Sequence, residues 1–220
     1  MKRLMPIFIV ILLSGCGILT AYAPNMLSMI VVAVMGVVVL LGIIYGLIPV
    51  LTFTQGLLTG QKSIQRASEA EEKSVWITAL QMDRFFRQKK MDQLFREYRD
   101  KVKQQRQNGQ IVSDLEDILN EDVLALYSWQ GVVAQIPGTL TGLGILGTFI
   151  GLLRGLRNIN FVTVEAALSS VQSILTGIDT AFYTSIAGVI LSILFNISNN
   201  ILRNTMDREM GIFLEVFHRV

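Results

Sequence analysis

Charge is missing from three long stretches of this chain. Leu4 to Gln61, Val123 to Leu153 and Thr180 to Leu202 contain no Asp, Glu, Lys or Arg. Each stretch exceeds the roughly 20 apolar residues that a helix needs to cross a bilayer. The chain has 19 Lys and Arg and 17 Asp and Glu, and 12 of each sign lie between Lys62 and Asp122. Mean hydropathy is +0.51. This is the pattern of an integral membrane protein and excludes a soluble globular domain. The expected fold class is all-α, with four transmembrane helices and a helical cytoplasmic insert.

Composition also removes several kinds of chemistry. One cysteine rules out an internal disulfide framework and a Cys-based zinc site. The single histidine, His218, lies near the C-terminus and leaves little from which to build a metal cluster or a Ser–His–Asp triad. No GxxxxGK[ST] run is present to cradle nucleotide phosphates. The net charge of +2 is too small and too widely spread for nucleic-acid binding. No enzymatic activity, cofactor or metal is expected.

The organisation follows from the apolar segments. Residues 4–53 read as a transmembrane hairpin, Leu4–Tyr22 and Met26–Phe53, turning at Ala23-Pro24-Asn25. Residues 54–125 form the charged insert, 126–202 the third and fourth crossings, and 203–220 a C-terminal helix. The Lys/Arg bias that sets orientation places the N-terminus (Lys2, Arg3), the insert and the tail (Arg203, Arg208, Arg219) in the cytoplasm. Loops 23–25 and 154–165 then face outward, with Arg154 and Arg157 as exceptions to the rule. The expected location is the bacterial inner membrane, multi-pass. Leu13-Ser14-Gly15-Cys16 also fits a lipoprotein signal; processing there would remove the first segment and leave an acylated Cys16 at the outer face.

The insert reads as helices. Ser68-Glu69-Ala70-Glu71 and Ser113-Asp114-Leu115-Glu116 have capping-box spacing. Met91, Phe95, Tyr98 and Val102 recur at three- and four-residue steps, which makes an apolar stripe on a charged helix. Asn108-Gly109 marks a turn. Arg84, Arg87, Lys89, Lys90, Arg96 and Arg99 form either a solvated face or a docking surface.

The third crossing, from about Trp129 to Leu153, is rich in small and hydroxyl residues, with Tyr127 and Trp129 as interfacial anchors. Gly138/Gly142 and Gly147/Gly151/Gly155 make small-xxx-small rows that let backbones approach closely in lipid. Thr139, Thr141 and Thr148 add hydroxyls. In the fourth crossing Thr180 and Thr184 share a face, with Ser185 and Ser192 close to it. Such hydroxyls either bond to the i−4 carbonyl or line a pathway; a matched stripe on two consecutive Gly-rich spans favours the pathway. Thr180–Leu202 already makes a full span of about 34 Å, so Asp179 sits near the outer mouth and Glu165 beyond it. No acid, Lys or His lies at the centre of a crossing. Hydroxyls hold water but do not exchange protons near pH 7, so a titrating carboxylate must come from another chain.

Gly144-Ile145-Leu146-Gly147-Thr148-Phe149-Ile150-Gly151-Leu152-Leu153 resembles the "GLLGTVxGL" helix of the MotA/TolQ/ExbB proton-channel family. Thr180-Ala181-Phe182-Tyr183-Thr184-Ser185-Ile186-Ala187-Gly188 resembles its following helix. The match covers residues 137–196, and four crossings with an insert after the second resemble the MotA arrangement. The two motifs look most like those of the A subunits of Zorya anti-phage motors. Those A subunits carry a long cytoplasmic tail after the last span; here 18 residues follow Leu202, as in a short relative or a piece of a longer chain. The family usually has proline where Thr141 stands, and Pro137 lies one turn earlier; the later proline is absent, with Val189 near its place.

The resemblance implies a homo-pentamer around a dimer of a single-span B subunit, whose intramembrane Asp carries the proton; the hydroxyls of this chain by themselves do not choose proton over sodium. It implies lumen-facing roles for Thr148, Thr180 and Ser185, with Thr184 beside them, and coupling of ion flow to mechanical work. A flagellar stator or a Ton/Tol-type energiser is the nearest alternative. A non-transporting membrane scaffold, in which the glycine rows serve packing alone, is the alternative of a different class.

Overall fold

A computed structural model of the protein describes residues 5–69, 84–109, 111, 114–157, 159 and 162–218. Among them all regular structure is helical, without a strand. The helices are α1 Met5–Ala21, α2 Met26–Gly42, α3 Ile48–Glu69, α4 Lys89–Gln107, α5 Glu121–Tyr127, α6 Gln130–Val133, α7 Ile136–Leu156 and α8 Val164–His218. A five-residue π turn, Ile43–Leu47, joins α2 to α3. Among the described residues three helical stretches are long and apolar enough to cross a membrane: Met26–Gln65, Gln130–Leu156 and Val164–His218. The apolar helix Pro6–Ala21 is shorter, about 24 Å at 1.5 Å per residue.

The chain divides into two compact units. The first comprises Met1–Tyr45 and Gly131–Asn200. In it α2 packs along both α1 and α7. The α1–α2 turn is built by Asn25, the N-cap of α2: its Oδ1 accepts from Ser28 N at 3.0 Å, and Ser28 Oγ accepts from Asn25 N at 3.2 Å. This reciprocal pair satisfies amides that the first helical turn would otherwise leave without partners. Val32, Met35 and Val39 bury one face of α2, while Val34, Val37 and Leu41 stay exposed, a pattern compatible with a lipid-facing side.

The helix expected as the third crossing starts later than its apolar run. A short helix, Gln130–Val133, precedes it, Trp129 adopts a positive φ of 52°, and α7 begins at Ile136 with Pro137 in its first turn. Proline has no amide to donate backwards, so it suits a helix start and cannot continue an earlier helix. The helix expected as the fourth crossing is longer than its charge-free run. α8 is continuous over 55 residues, or about 82 Å, and carries both Glu165 and Asp179 within it. Thr163 caps its start, with Oγ1 accepting from Ala166 N at 3.1 Å.

The second unit comprises Gly46–Gln130 and Ile201–Val220. Its core is aromatic: the rings of Phe85 and Phe95 stack at 4.8 Å, and Phe86 meets Phe213 edge-on at 5.2 Å. The apolar stripe of α4 supplies part of this core, with Met91 and Phe95 buried and Tyr98 and Val102 half-buried. Asp92, buried in the first turn of α4, accepts from Phe86 N at 2.7 Å. Lys90 lies 4.9 Å above the Tyr127 ring and Arg99 5.8 Å above that of Phe95. Gly109 ends the α4 region with a φ of 65°. Ser68 falls inside α3 rather than at a helix start. Ala70, Glu71 and Ser113, like Lys2, Arg3 and Arg219, lie outside the described residues. Asp114 accordingly pairs with Asp117, whose Oδ2 accepts from Asp114 N at 3.1 Å, around a 3-10 turn.

Candidate functional site: the α7–α8 helix pair

Within the first unit α7 and α8 run antiparallel at backbone contact. Gly144, Gly147, Gly151 and Gly155 are all buried along one side of α7. A Cβ on Gly151 would lie 2.8 Å from Ala181 N and Gly177 O; one on Gly155 would lie 3.1 Å from Gly177 Cα and Ser173 O. From the other side, a Cβ on Gly177 would lie 2.6 Å from Gly151 O, and one on Gly188 would lie 2.7 Å from Leu140 O. Real Cβ atoms essentially never come within 3.0 Å of backbone, so at Gly151, Gly177 and Gly188 only glycine permits this approach, and at Gly155 a Cβ would be tight. Close backbones make up in dispersion contacts what lipid withholds as a hydrophobic drive.

The sequence-based packing residues separate into two groups. Gly147 and Gly151 belong to this seam, whereas Gly138 and Gly142 are exposed and a Cβ on either would meet nothing within 4 Å. Nine residues separate Gly142 from Gly151 and Gly138 from Gly147, about half a turn of rotation at 100° per residue. The two rows therefore face opposite directions. Gly144, Gly177 and Gly188 complete the seam; the i, i+3, i+7, i+11 spacing from Gly144 to Gly155 was the available signal.

The hydroxyls occupy distinct positions. Thr148 Oγ1 is within 3.1 Å of Gly144 O and 3.2 Å of Ala181 O, so it reaches across the seam to α8. Thr184 is buried against Gly147 and donates to Thr180 O at 2.9 Å. Thr180, 3% exposed, donates to Thr176 O at 2.9 Å and accepts from Asn25 Nδ2 at 2.6 Å. Tyr183 donates to Leu19 O at the end of α1. There Tyr22 N bonds to Ile18 O and Ala23 N to Thr20 O, which passes over the Leu19 carbonyl. Asn25 and Tyr183, neither of them a sequence-based site residue, thus tie the α1–α2 turn to α8.

These bonds orient α8. Thr180 and Tyr183 face α1 and α2. Ser185 is rotated about 140° from Thr180 and about 160° from Tyr183, hence toward the far side. Ala181 O, which Thr148 reaches, is the helical acceptor of the Ser185 amide, so Thr148 and Ser185 adjoin on that far side. Seven residues separate Ser185 from Ser192 and Thr141 from Thr148, about 20° of rotation, so each helix carries an aligned pair of hydroxyls. Among the described residues Ser185 is half-buried and its hydroxyl makes no hydrogen bond. Thr141 donates to Pro137 O at 3.1 Å, and Thr139, exposed, to Gln135 O at 3.1 Å.

Asp179 is exposed, one residue from the contact with the α1–α2 turn, and Glu165 is exposed near the start of α8. Between Ile136 and Leu153, and between Thr180 and Leu202, no carboxylate, lysine or histidine occurs. These two stretches can offer hydroxyl and carbonyl oxygens to water or a cation, and no group that gains or loses a proton near pH 7.

A family model described as the anti-phage protein ZorA of the Zorya type I system matches residues 12–205. The Zorya protein ZorA of Escherichia coli Crooks is 47% identical over 60 residues, covering 27% of this chain and 10% of that protein. The Zorya protein ZorA of Escherichia coli O139:H28 is 43% identical over 60 residues, covering 27% of this chain and 8% of that protein. The match thus spans a tenth or less of the length of these two relatives.

Proposed function

The chain belongs to the ZorA-like family of Zorya type I anti-phage proteins, and from this premise we propose that it is the channel-forming subunit of an ion-driven rotary motor serving anti-phage defence. The observation that carries the proposal is the pairing of Thr148 with the Ser185 turn on the side of the α7–α8 seam away from α1 and α2. In a ring of five copies that side faces the centre, while α1 and α2 face lipid. The seam's oxygens then line a wet path that lacks a titrating group of its own. A single-span partner, two copies per ring, supplies the intramembrane Asp, as the MotA/TolQ/ExbB resemblance implies. One charge crossing 100 mV releases about 2.3 kcal/mol, so several ions drive each mechanical step. The exposed Gly138/Gly142 face is free to approach a neighbouring copy or the partner's span.

The test is extraction of the full chain, co-expressed with a candidate single-span B-type partner, followed by native mass measurement and phage plating. A complex of five copies with two partners, and protection that disappears when a protonophore or a sodium ionophore collapses the gradient, is the expected result. Protection unaffected by both ionophores would overturn the motor reading in favour of a scaffold.

A further inference from the structure

At the end of the first unit where α1 turns into α2, a cavity of about 450 Å³ opens between α2, α7 and α8, and Arg154, Asn25, Gln172, Ser173 and Thr176 form much of its wall. We propose that it is a binding site for a phosphate-bearing anion, with an anionic phospholipid headgroup and free inorganic phosphate as the two sources of that chemistry.

The argument begins with charge. Arg154 is exposed and, among the described residues, has no ion pair or hydrogen bond. No carboxylate lines the cavity. The wall therefore carries an uncompensated guanidinium, whose planar fork matches phosphate oxygens in two-bond geometry.

The remaining free groups donate. The Gln172 amide and the Ser173 hydroxyl have no hydrogen-bond partner among the described residues. Met26 and Leu27 also line the cavity; as the first two residues of α2 their amides have no acceptor within the helix. Asn25 serves Ser28 N and its own carbonyl serves Met29 N, which leaves those two amides over. A cation, two side-chain donors and a helix start converge on one space, and this favours an acceptor-rich anion over a neutral sugar or a cation.

Size and setting decide what carries the phosphate. The volume lies within the range of small-ligand clefts and exceeds the needs of a bare ion. Met29 and Ile30, one turn further along α2, are exposed, so acyl chains attached to a headgroup here would continue over an apolar surface. A glycerophosphate headgroup satisfies both features, while free phosphate satisfies only the donors.

Native mass spectrometry of the full detergent-extracted chain, with thermal unfolding in parallel, tests the proposal. The additions are phosphatidylglycerol, phosphatidylcholine or inorganic phosphate. Arg154→Gln should retain phosphatidylglycerol at least about tenfold less than the wild type, and Arg154→Lys, which keeps the charge but not the fork, should fall between the two. Retention of phosphatidylglycerol alone identifies the headgroup as the source. Stabilisation by inorganic phosphate that Arg154→Gln abolishes identifies the free anion, and supports the site equally. Equal retention of the charged and the zwitterionic lipid, or binding indifferent to Arg154→Gln in both arms, overturns the proposal. Gln172→Leu, at an exposed position, gives the same reading should the arginine variant fail to fold.

Discussion

Asn25 donates its side-chain amide to the Thr180 hydroxyl at 2.6 Å, joining positions 155 residues apart. The same side chain caps α2 through Oδ1, so one residue fixes both the start of a helix and the place where that start meets α8. Its two roles can be separated. Asn25→Ser keeps a capping oxygen but is too short to reach Thr180, and should cost about 1 kcal/mol, the worth of a single hydrogen bond. Asn25→Ala loses the cap as well, which adds about 1 kcal/mol. Thermal unfolding of the purified chain should rank wild type above serine above alanine; coincident midpoints for all three would dismiss the latch.

The glycine rows make a second contrast. Gly151→Ala and Gly177→Ala place a methyl against backbone atoms at 2.8 Å and 2.6 Å. Backbone cannot rotate away as a side chain can, so α7 and α8 must separate, at a cost of about 1–3 kcal/mol for overpacking. Gly138→Ala and Gly142→Ala meet nothing in the chain and should leave its unfolding midpoint unchanged or slightly raised, because alanine favours a helix by about 1 kcal/mol over glycine. If that face meets another copy or the partner, the same two substitutions should lower the yield of assembled complex. Paired measurements of midpoint and assembled mass separate the effects.

How much of this was legible beforehand depended on the kind of signal. Charge-free runs announced the apolar helices, because the expense of carrying charge into lipid is written residue by residue. The stripe of Met91 and Phe95 announced the buried side of α4 in the same way. The glycines were visible but their direction was not: Gly142 and Gly151 look alike in spacing, and only the half-turn between them decides which meets α8. Thr180, Thr184 and Ser185 form one cluster in the sequence, yet the structure turns Thr180 toward Asn25 and Ser185 away from it. Nothing local to Asn25 or Tyr183 points to a partner in a helix more than 150 residues away. The continuity of α8 was hidden for another reason: Asp179 reads as the edge of a span, and a helix that simply continues past an interface leaves no mark there.

Thr148 and Ser185 carry the functional prediction. Thr148→Ala removes a hydroxyl whose two acceptors, Gly144 O and Ala181 O, also accept helical amides, so the fold should lose no more than about 1 kcal/mol. Ser185→Ala removes a hydroxyl that bonds to nothing described and should cost less. Either change should nonetheless reduce phage protection at least about tenfold in plating efficiency with normal assembly, while Thr148→Ser should retain it. Full protection in both alanine variants would remove these hydroxyls from the proposed ion path.

The second unit provides a pH test of its own. His218 Nε2 lies 2.7 Å from Asp114 Oδ1, and both side chains are about half exposed, at 44% and 51%. The hydrogen bond to His218 holds the Asp114 carboxyl below its ordinary range, aided by the charge of His218 and the amides of Leu115 and Glu116, against a smaller opposing effect of burial. A carboxylate whose folded-state pKa is depressed contributes stability that is present above its unfolded value, about 3.9 for Asp. That contribution is lost as the pH falls through the lower folded-state value. Solvent exposure keeps it small. His218→Ala should therefore lower the unfolding midpoint slightly near pH 5, and the gap to wild type should close as both are taken to acid well below the unfolded value. The unfolding midpoints of the two proteins, followed across that interval, provide the check: a gap that stays constant down to the lowest pH would mean that the histidine acts through packing against Phe217, 6.3 Å away between ring centres, and not through the carboxylate.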